Sequence, residues 1–189
     1  ANPVLVWLWT FAFYIRQFIL PITNAPNYQL PEPVSLINPE YAIALCVFAA
    51  AALSCFVGRK NRPFMFAFLF YVLSIFFLWR TDADDANVVA DRFMYLPSLG
   101  LCLMMGFGFE WLWAARKDKS FLKAGGFVLL IFILGFYMAS TFRMAKLWTD
   151  PIALWKYQIE KFPNGYIGYT NLADAVGKTE EYQKAQEEY

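Results

Sequence analysis

Histidine is missing from the 189 residues altogether. That absence removes histidine acid–base catalysis, Ser-His-Asp triads and imidazole metal sites from this stretch. Cysteine is scarce: Cys46, Cys55 and Cys102 all fall within apolar runs and form no C-x-x-C pair. A thiol in that setting behaves as a small hydrophobe. Charge is thin as well, at 16% of residues, where soluble domains carry about 25%. No glycine-rich phosphate loop occurs, and "GFG" at 106–108 sits inside an apolar run, where it reads as helix packing. With a net charge of only +1 and no basic patch on a soluble element, nothing points to nucleic acid.

What the chain has instead is apolar length. Hydrophobic residues make up 59%, aromatics 20%, and the mean hydropathy is +0.40. Five runs stand out, at 4–22, 41–58, 64–79, 98–115 and 124–141. Each approaches the ~20 residues that cross a ~30 Å hydrocarbon core as helix. They are too long and too continuously apolar for barrel strands. The expected fold is all-α, with a polytopic bundle of about five spans over 1–143. The first run is interrupted by Arg16 and Gln17 and ended by Pro21. It is expected to span with Arg16 facing the bundle, an interfacial helix being the alternative. The chain opens on Ala1-Asn2-Pro3 without a basic n-region, so this run does not read as a signal peptide, and the sequence is expected to be a piece of a longer protein.

Lysine and arginine in the short loops set the orientation. "GRKNRP" carries Arg59, Lys60 and Arg62, and "ARKDKSFLK" carries Arg116, Lys117, Lys119 and Lys123. Both are expected on the cytoplasmic side. Residues 23–40, residues 80–96 and everything after Thr141 then fall outside.

The last forty residues change character. Asp150-Pro151 predicts an N-cap and first position of a helix that runs to Lys161 and stops before Pro163-Asn164-Gly165. A second helix starts near Tyr166. Its Tyr169-x2-Leu172-Ala173-x2-Val176, followed by Ala185-x3-Tyr189, matches a tetratricopeptide repeat with conservative swaps. An ordinary amphipathic helix pair is the plainer alternative. Residues 147–189 are therefore expected to begin an external repeat domain that breaks off within its second helix. One such unit cannot bury its own apolar face, so further repeats are expected beyond it.

The stretch "ADRFMYLPSLG" at 90–100, together with "FYIRQFILP" at 13–21, "YQLPEP" at 28–33, "WTDPIALWKYQIEKFPN" and "YTNLADA", resembles the C-terminal membrane half of multispan tetratricopeptide-repeat proteins related to the transmembrane O-mannosyltransferases. The signature A-[DE]-R-Y-x-Y-L-P-x-x-G of bacterial and archaeal members is matched from Ala90 to Gly100, with Phe93 in place of Tyr. The resemblance implies a GT-C-type glycosyltransferase that uses a polyprenyl-phosphate sugar on the outer face of the membrane. It also implies a catalytic acid in the first external loop, upstream of this chain, so no residue here is assigned as catalytic. The expected location is a bacterial or archaeal cytoplasmic membrane, or alternatively the ER membrane with lumenal repeats.

Arg16, Arg80, Arg92 and Arg143 all map to the outer interface, where cations need a reason. Guanidinium binds phosphate in a bidentate way and keeps its charge when partly desolvated. Arg92 and Arg16 are thus candidates for a lipid phosphate, with Tyr95 as a hydrogen-bonding neighbour and Asp91 orienting Arg92. The competing reading pairs these arginines with Asp82, Asp84, Asp85 and Asp91. Asp82, Asp84 and Asp85 are also weak candidates for a divalent cation, but the calcium-loop glycine and terminal glutamate are missing and a solvated acidic loop is the favoured reading. Glu110, inside its run, reads as a snorkelling or paired carboxylate. Two function classes stay open: a lipid-phosphate-dependent glycosyltransferase, or a non-catalytic membrane anchor that presents repeats to a partner protein.

Overall fold

The computed structural model describes residues 2–78, 89–115 and 120–187. The helices are α1 (Pro3–Ile19), α2 (Pro39–Gly58), α3 (Arg62–Ile75), α4 (Tyr95–Ala115), α5 (Ser120–Trp148), α6 (Pro151–Lys161) and α7 (Tyr166–Glu187). Short 3-10 turns extend α3 through Phe76–Leu78 and lead into α4 at Asp91–Met94. Among the described residues the only strand pairing is an isolated bridge between Tyr28 and Val89.

Four helix starts share one device. Asn2, Asn38, Asn61 and Asp150 each hold an extended backbone, and each side chain accepts a hydrogen bond from an amide of the first turn. A proline follows at the first or second helical position, where its missing N–H costs nothing.

Three stretches are long and apolar enough to cross a membrane: Pro39–Gly58, Asp91–Glu110 and Ala124–Trp148. The chain is an integral membrane protein. Two further apolar helices, Pro3–Ile19 and Arg62–Leu78, are shorter. The expected run at 4–22 accordingly ends early, at Ile19, with Leu20 capping back onto the Arg16 carbonyl. The last apolar helix overshoots its expected end at Thr141 and continues to Trp148.

The first helix is the hub. Val6, Trp9, Phe11, Phe13 and Tyr14 are all buried, so α1 faces protein on most sides. Phe11 meets Phe48 of α2 and Tyr71 of α3, both at 5.4 Å between ring centroids. Phe13 packs on Tyr28 at 4.7 Å, and Tyr28 on Phe162 beyond α6 at 5.7 Å. Edge-on aromatic contacts thus run from α2 through α1 to the end of α6. Part of the aromatic content fills this interior, while many other rings, on α5 above all, are exposed. Three buried tyrosines anchor their hydroxyls on backbone carbonyls: Tyr14 on Ala90, Tyr41 on Pro31 and Tyr71 on Phe11. The helices α3 and α4 approach closely at Gly100, where an added Cβ would lie 2.7 Å from the Ala67 carbonyl oxygen and 2.9 Å from the Tyr71 amide nitrogen.

The segments 20–38 and 89–94 and the helix α6 meet at one end of the bundle. Tyr28 donates its amide to Val89 at 2.9 Å. Asn24 donates to Ser140 of α5 at 2.8 Å. The buried Gln158 of α6 clasps the backbone of Asn27, donating to its carbonyl at 2.9 Å and accepting from its amide at 3.4 Å. The basic turn around Lys60 lies at the opposite end, about 28 Å along α2.

The helices α6 and α7 form a hairpin across the Phe162–Gly165 turn, tightened by the Gly165 amide on the Phe162 carbonyl at 3.1 Å. α7 departs from the expectation. It runs unbroken to Glu187 through the position where a repeat needs a turn before its second helix. Residues 178–187, rich in Lys, Glu, Gln and Ala, favour helix throughout, and Gly177 meets nothing that would force a break. The side chain of Ala185 lies outside the described part.

Candidate functional site

A cavity of about 640 Å³ opens where the end of α1, the 20–31 segment, the start of α2 and the end of α6 converge. Trp9, Phe13, Leu20 and Ile22 supply apolar wall; Arg16, Gln17, Glu40 and Lys161 supply polar groups. Amphipathic helix ends at the limit of an apolar bundle produce such a lining directly. The α1 sequence turns from Phe13 to Arg16-Gln17 within one helical turn.

Arg16 is the one predicted phosphate ligand that lines this cavity. Its guanidinium donates to Glu40 at 3.0 Å and sits 5.5 Å from the Phe13 ring centroid. The side chain remains 53% exposed, so the pair is screened and weak. Of the outer arginines, Arg16 is therefore carboxylate-paired, through a residue 24 positions on that spacing alone did not suggest.

Asp91 does not orient Arg92. Its carboxylate accepts the Tyr28 hydroxyl at 2.7 Å. That hydroxyl in turn accepts from the Ala25 amide and the Gln17 side-chain amide, both at 3.0 Å. Burial, first, and the adjoining Asp91 charge hold the Tyr28 phenol far above the usual tyrosine range, so it stays protonated and donates. Gln17 reaches further, to the Thr23 carbonyl at 2.9 Å and the Asn24 side chain at 2.7 Å. The result is a polar knot tying the 23–28 loop to α1 and to the "ADR" segment.

Arg92 lies outside the cavity. It is exposed, its guanidinium rests over the Phe93 ring at 5.0 Å, and among the described residues no carboxylate pairs with it. Phe93 and Met94 pack against the core. Tyr95 does not: it is 82% exposed on the first turn of α4. Arg143 borders a recess of about 150 Å³ with Pro21, Ile22 and Ser140. Glu110 is exposed on α4. Arg80, Asp82, Asp84 and Asp85 lie outside the described residues, and among those described no cluster of three metal-ligating side chains occurs.

Sequence reasoning missed Tyr28, Glu40, Gln158 and Lys161. Only Tyr28 carried a signal, as the first residue of "YQLPEP". The others depend on which loops meet in space.

No family model matches the chain, and no solved structure does. Among curated proteins, the chain is 32% identical over 103 residues to Protein O-mannosyl-transferase Tmtc1 of Drosophila melanogaster, covering 52% of this chain and 11% of that protein. It is 29% identical over 100 residues to Protein O-mannosyl-transferase Tmtc2 of Drosophila melanogaster, covering 53% and 10%. Against human Protein O-mannosyl-transferase TMTC1 it is 20% identical over 191 residues, covering 94% and 21%. The chain thus spans between about a tenth and a fifth of the length of these relatives. All three are animal proteins, and they lend no support to the bacterial or archaeal membrane expected from the signature. At family level, the chain is similar to protein O-mannosyl-transferases.

Proposed function

We propose that this chain is the C-terminal membrane part of a GT-C-type glycosyltransferase that takes its sugar from a polyprenyl phosphate, with tetratricopeptide-like helices on the outer face for an acceptor or protein partner. The observation that carries the reading is the cavity at the repeat-side end of the bundle, with apolar walls and Arg16 among its polar groups. A polyprenyl phosphate needs such a pairing: an apolar path for the chain and a cation at the level where hydrocarbon gives way to water. The similarity to O-mannosyl-transferases agrees with it. Because the relatives are animal proteins, the membrane in this reading is that of the ER, with the repeats in the lumen. The reading retains all five apolar helices as spans.

Arg16 is the proposed phosphate ligand. Arg92, exposed at the same end and without a carboxylate partner among the described residues, is the second, with Tyr95 one helical turn on as its hydrogen-bonding neighbour. Asp91 serves as the clamp that holds Tyr28. The catalytic acid belongs to the region upstream.

The test is sugar transfer by the full-length protein from a polyprenyl-phosphate mannose donor, with donor affinity and detergent melting temperature measured in parallel. Arg16→Ala and Arg92→Ala should each weaken donor binding without lowering the melting temperature, and Arg92→Lys should fall between because it keeps the charge but loses the bidentate fork. Full-length protein that neither binds donor nor transfers sugar would leave the anchor that presents repeats to a partner as the function.

A further inference from the structure

The cavity is built from two parts of the molecule. Trp9, Phe13 and Arg16 come from the membrane helix α1, whereas Lys161 and Phe162 come from the end of α6, which belongs to the repeat region. We propose that Lys161 completes the phosphate seat with Arg16, so that lipid-phosphate binding and docking of α6 onto the membrane helices are one coupled event. This rests on the lipid-phosphate reading of the cavity.

Charge within the lining favours an anion. Two cations, Arg16 and Lys161, face it against a single carboxylate, Glu40. Glu40 occupies one guanidinium nitrogen of Arg16, and an arginine has five N–H donors in a planar fork. Lys161 has only a loose partner, the neighbouring Glu160 at 3.5 Å, both side chains being solvent-exposed. Its ammonium also lies 5.6 Å from the Tyr157 ring centroid. An anion in the cavity therefore meets two cations whose present partners are weak and screened.

Docking of α6 is held by groups outside the charged lining. Gln158 clasps the Asn27 backbone, and Leu154 is buried beside it. Phe162 does both, lining the cavity and packing on Tyr28. A phosphate that binds Lys161 must then favour the docked state of α6, and by thermodynamic reciprocity the docked state must favour the phosphate. A residue that docks α6 without touching the cavity should thus change anion affinity.

The experiment uses the intact membrane protein in phosphatidylcholine nanodiscs, with farnesyl phosphate as probe and farnesol and inorganic phosphate as controls. Hydrogen exchange across 151–165 is followed together with affinity. Farnesyl phosphate should slow exchange in α6 of the wild type, farnesol should not, and inorganic phosphate should bind far more weakly. Lys161→Gln and Gln158→Ala should each weaken farnesyl phosphate by about five- to tenfold, and Lys161→Arg should restore it. Gln158→Ala that unfolds the repeat region is recognised by exchange throughout α7, and Lys161→Gln with its Arg rescue then decides. If Arg16→Gln weakens binding but Lys161→Gln and Gln158→Ala do not, the coupling is overturned and the lipid-phosphate reading stands. If Arg16→Gln has no effect either, the cavity is not the phosphate seat and both fall. Equal affinity for inorganic phosphate would overturn the lipid as its source.

Discussion

At the scale of single residues, Tyr28 concentrates more of the design than any arginine in the signature. One phenol accepts the Ala25 amide and the Gln17 side chain and donates to the Asp91 carboxylate at 2.7 Å. Tyr28→Phe keeps the ring packing on Phe13 and Phe162 but strips a buried amide and a carboxylate of their shared partner. The expected loss is about 1–3 kcal/mol, read as a lowered melting temperature in detergent. Asp91→Asn should cost less, because the amide oxygen can still accept the hydroxyl. The pH dependence has a definite sign. Burial raises the phenol's folded-state pKa above its unfolded value near 10, so this stabilisation is complete below about pH 10 and is lost as the pH climbs above it. Wild type should lose stability more steeply than Tyr28→Phe over that alkaline range, and parallel curves would contradict the assignment.

Among the helices, the contact to test is the crossing of α3 and α4. The Gly100 position faces backbone atoms of α3 that cannot give way, so Gly100→Ala should overpack the pair at a cost of about 1–3 kcal/mol. Gly106→Ala on the same helix meets nothing within 4 Å and should be neutral or slightly stabilising. Chemical unfolding of both variants in mixed micelles distinguishes them. These helices also mark how far the sequence could be read. Apolar run length gave the approximate place of the apolar helices, and Asp150-Pro151 gave the start of α6 to the residue. The same cap was present in Asn2-Pro3, Asn38-Pro39 and Asn61-Arg62-Pro63 and went unused. Partners were illegible because pairings such as Arg16 with Glu40 or Gln158 with Asn27 depend on loops 24 and 131 positions apart in sequence. Hydropathy alone did not show that most of the middle of α1 is buried against other parts of the chain, which is how a helix that carries Thr10, Arg16 and Gln17 can sit at the centre.

For the whole molecule, the joined loops at one end and the basic turn at the other make a topology that labelling can read. In a background lacking the three cysteines, Asn164→Cys should react with an impermeant reagent from the side that carries α6 and α7, and Lys60→Cys only after the membrane is opened. Equal labelling of both would refute the arrangement. The α5 helix adds a consequence of its length. Its apolar stretch Ala124–Trp148, none of it buried, extends about 37 Å, beyond the ~30 Å hydrocarbon core. A helix that long adjusts to bilayer thickness by tilting. It is fastened near one end, where Ser140 meets Asn24 and Trp148 leads into α6. Thickness is thereby converted into torque at that fastening, and a thin bilayer, which demands the most tilt, would load the Asn24–Ser140 and Asn27–Gln158 bonds first.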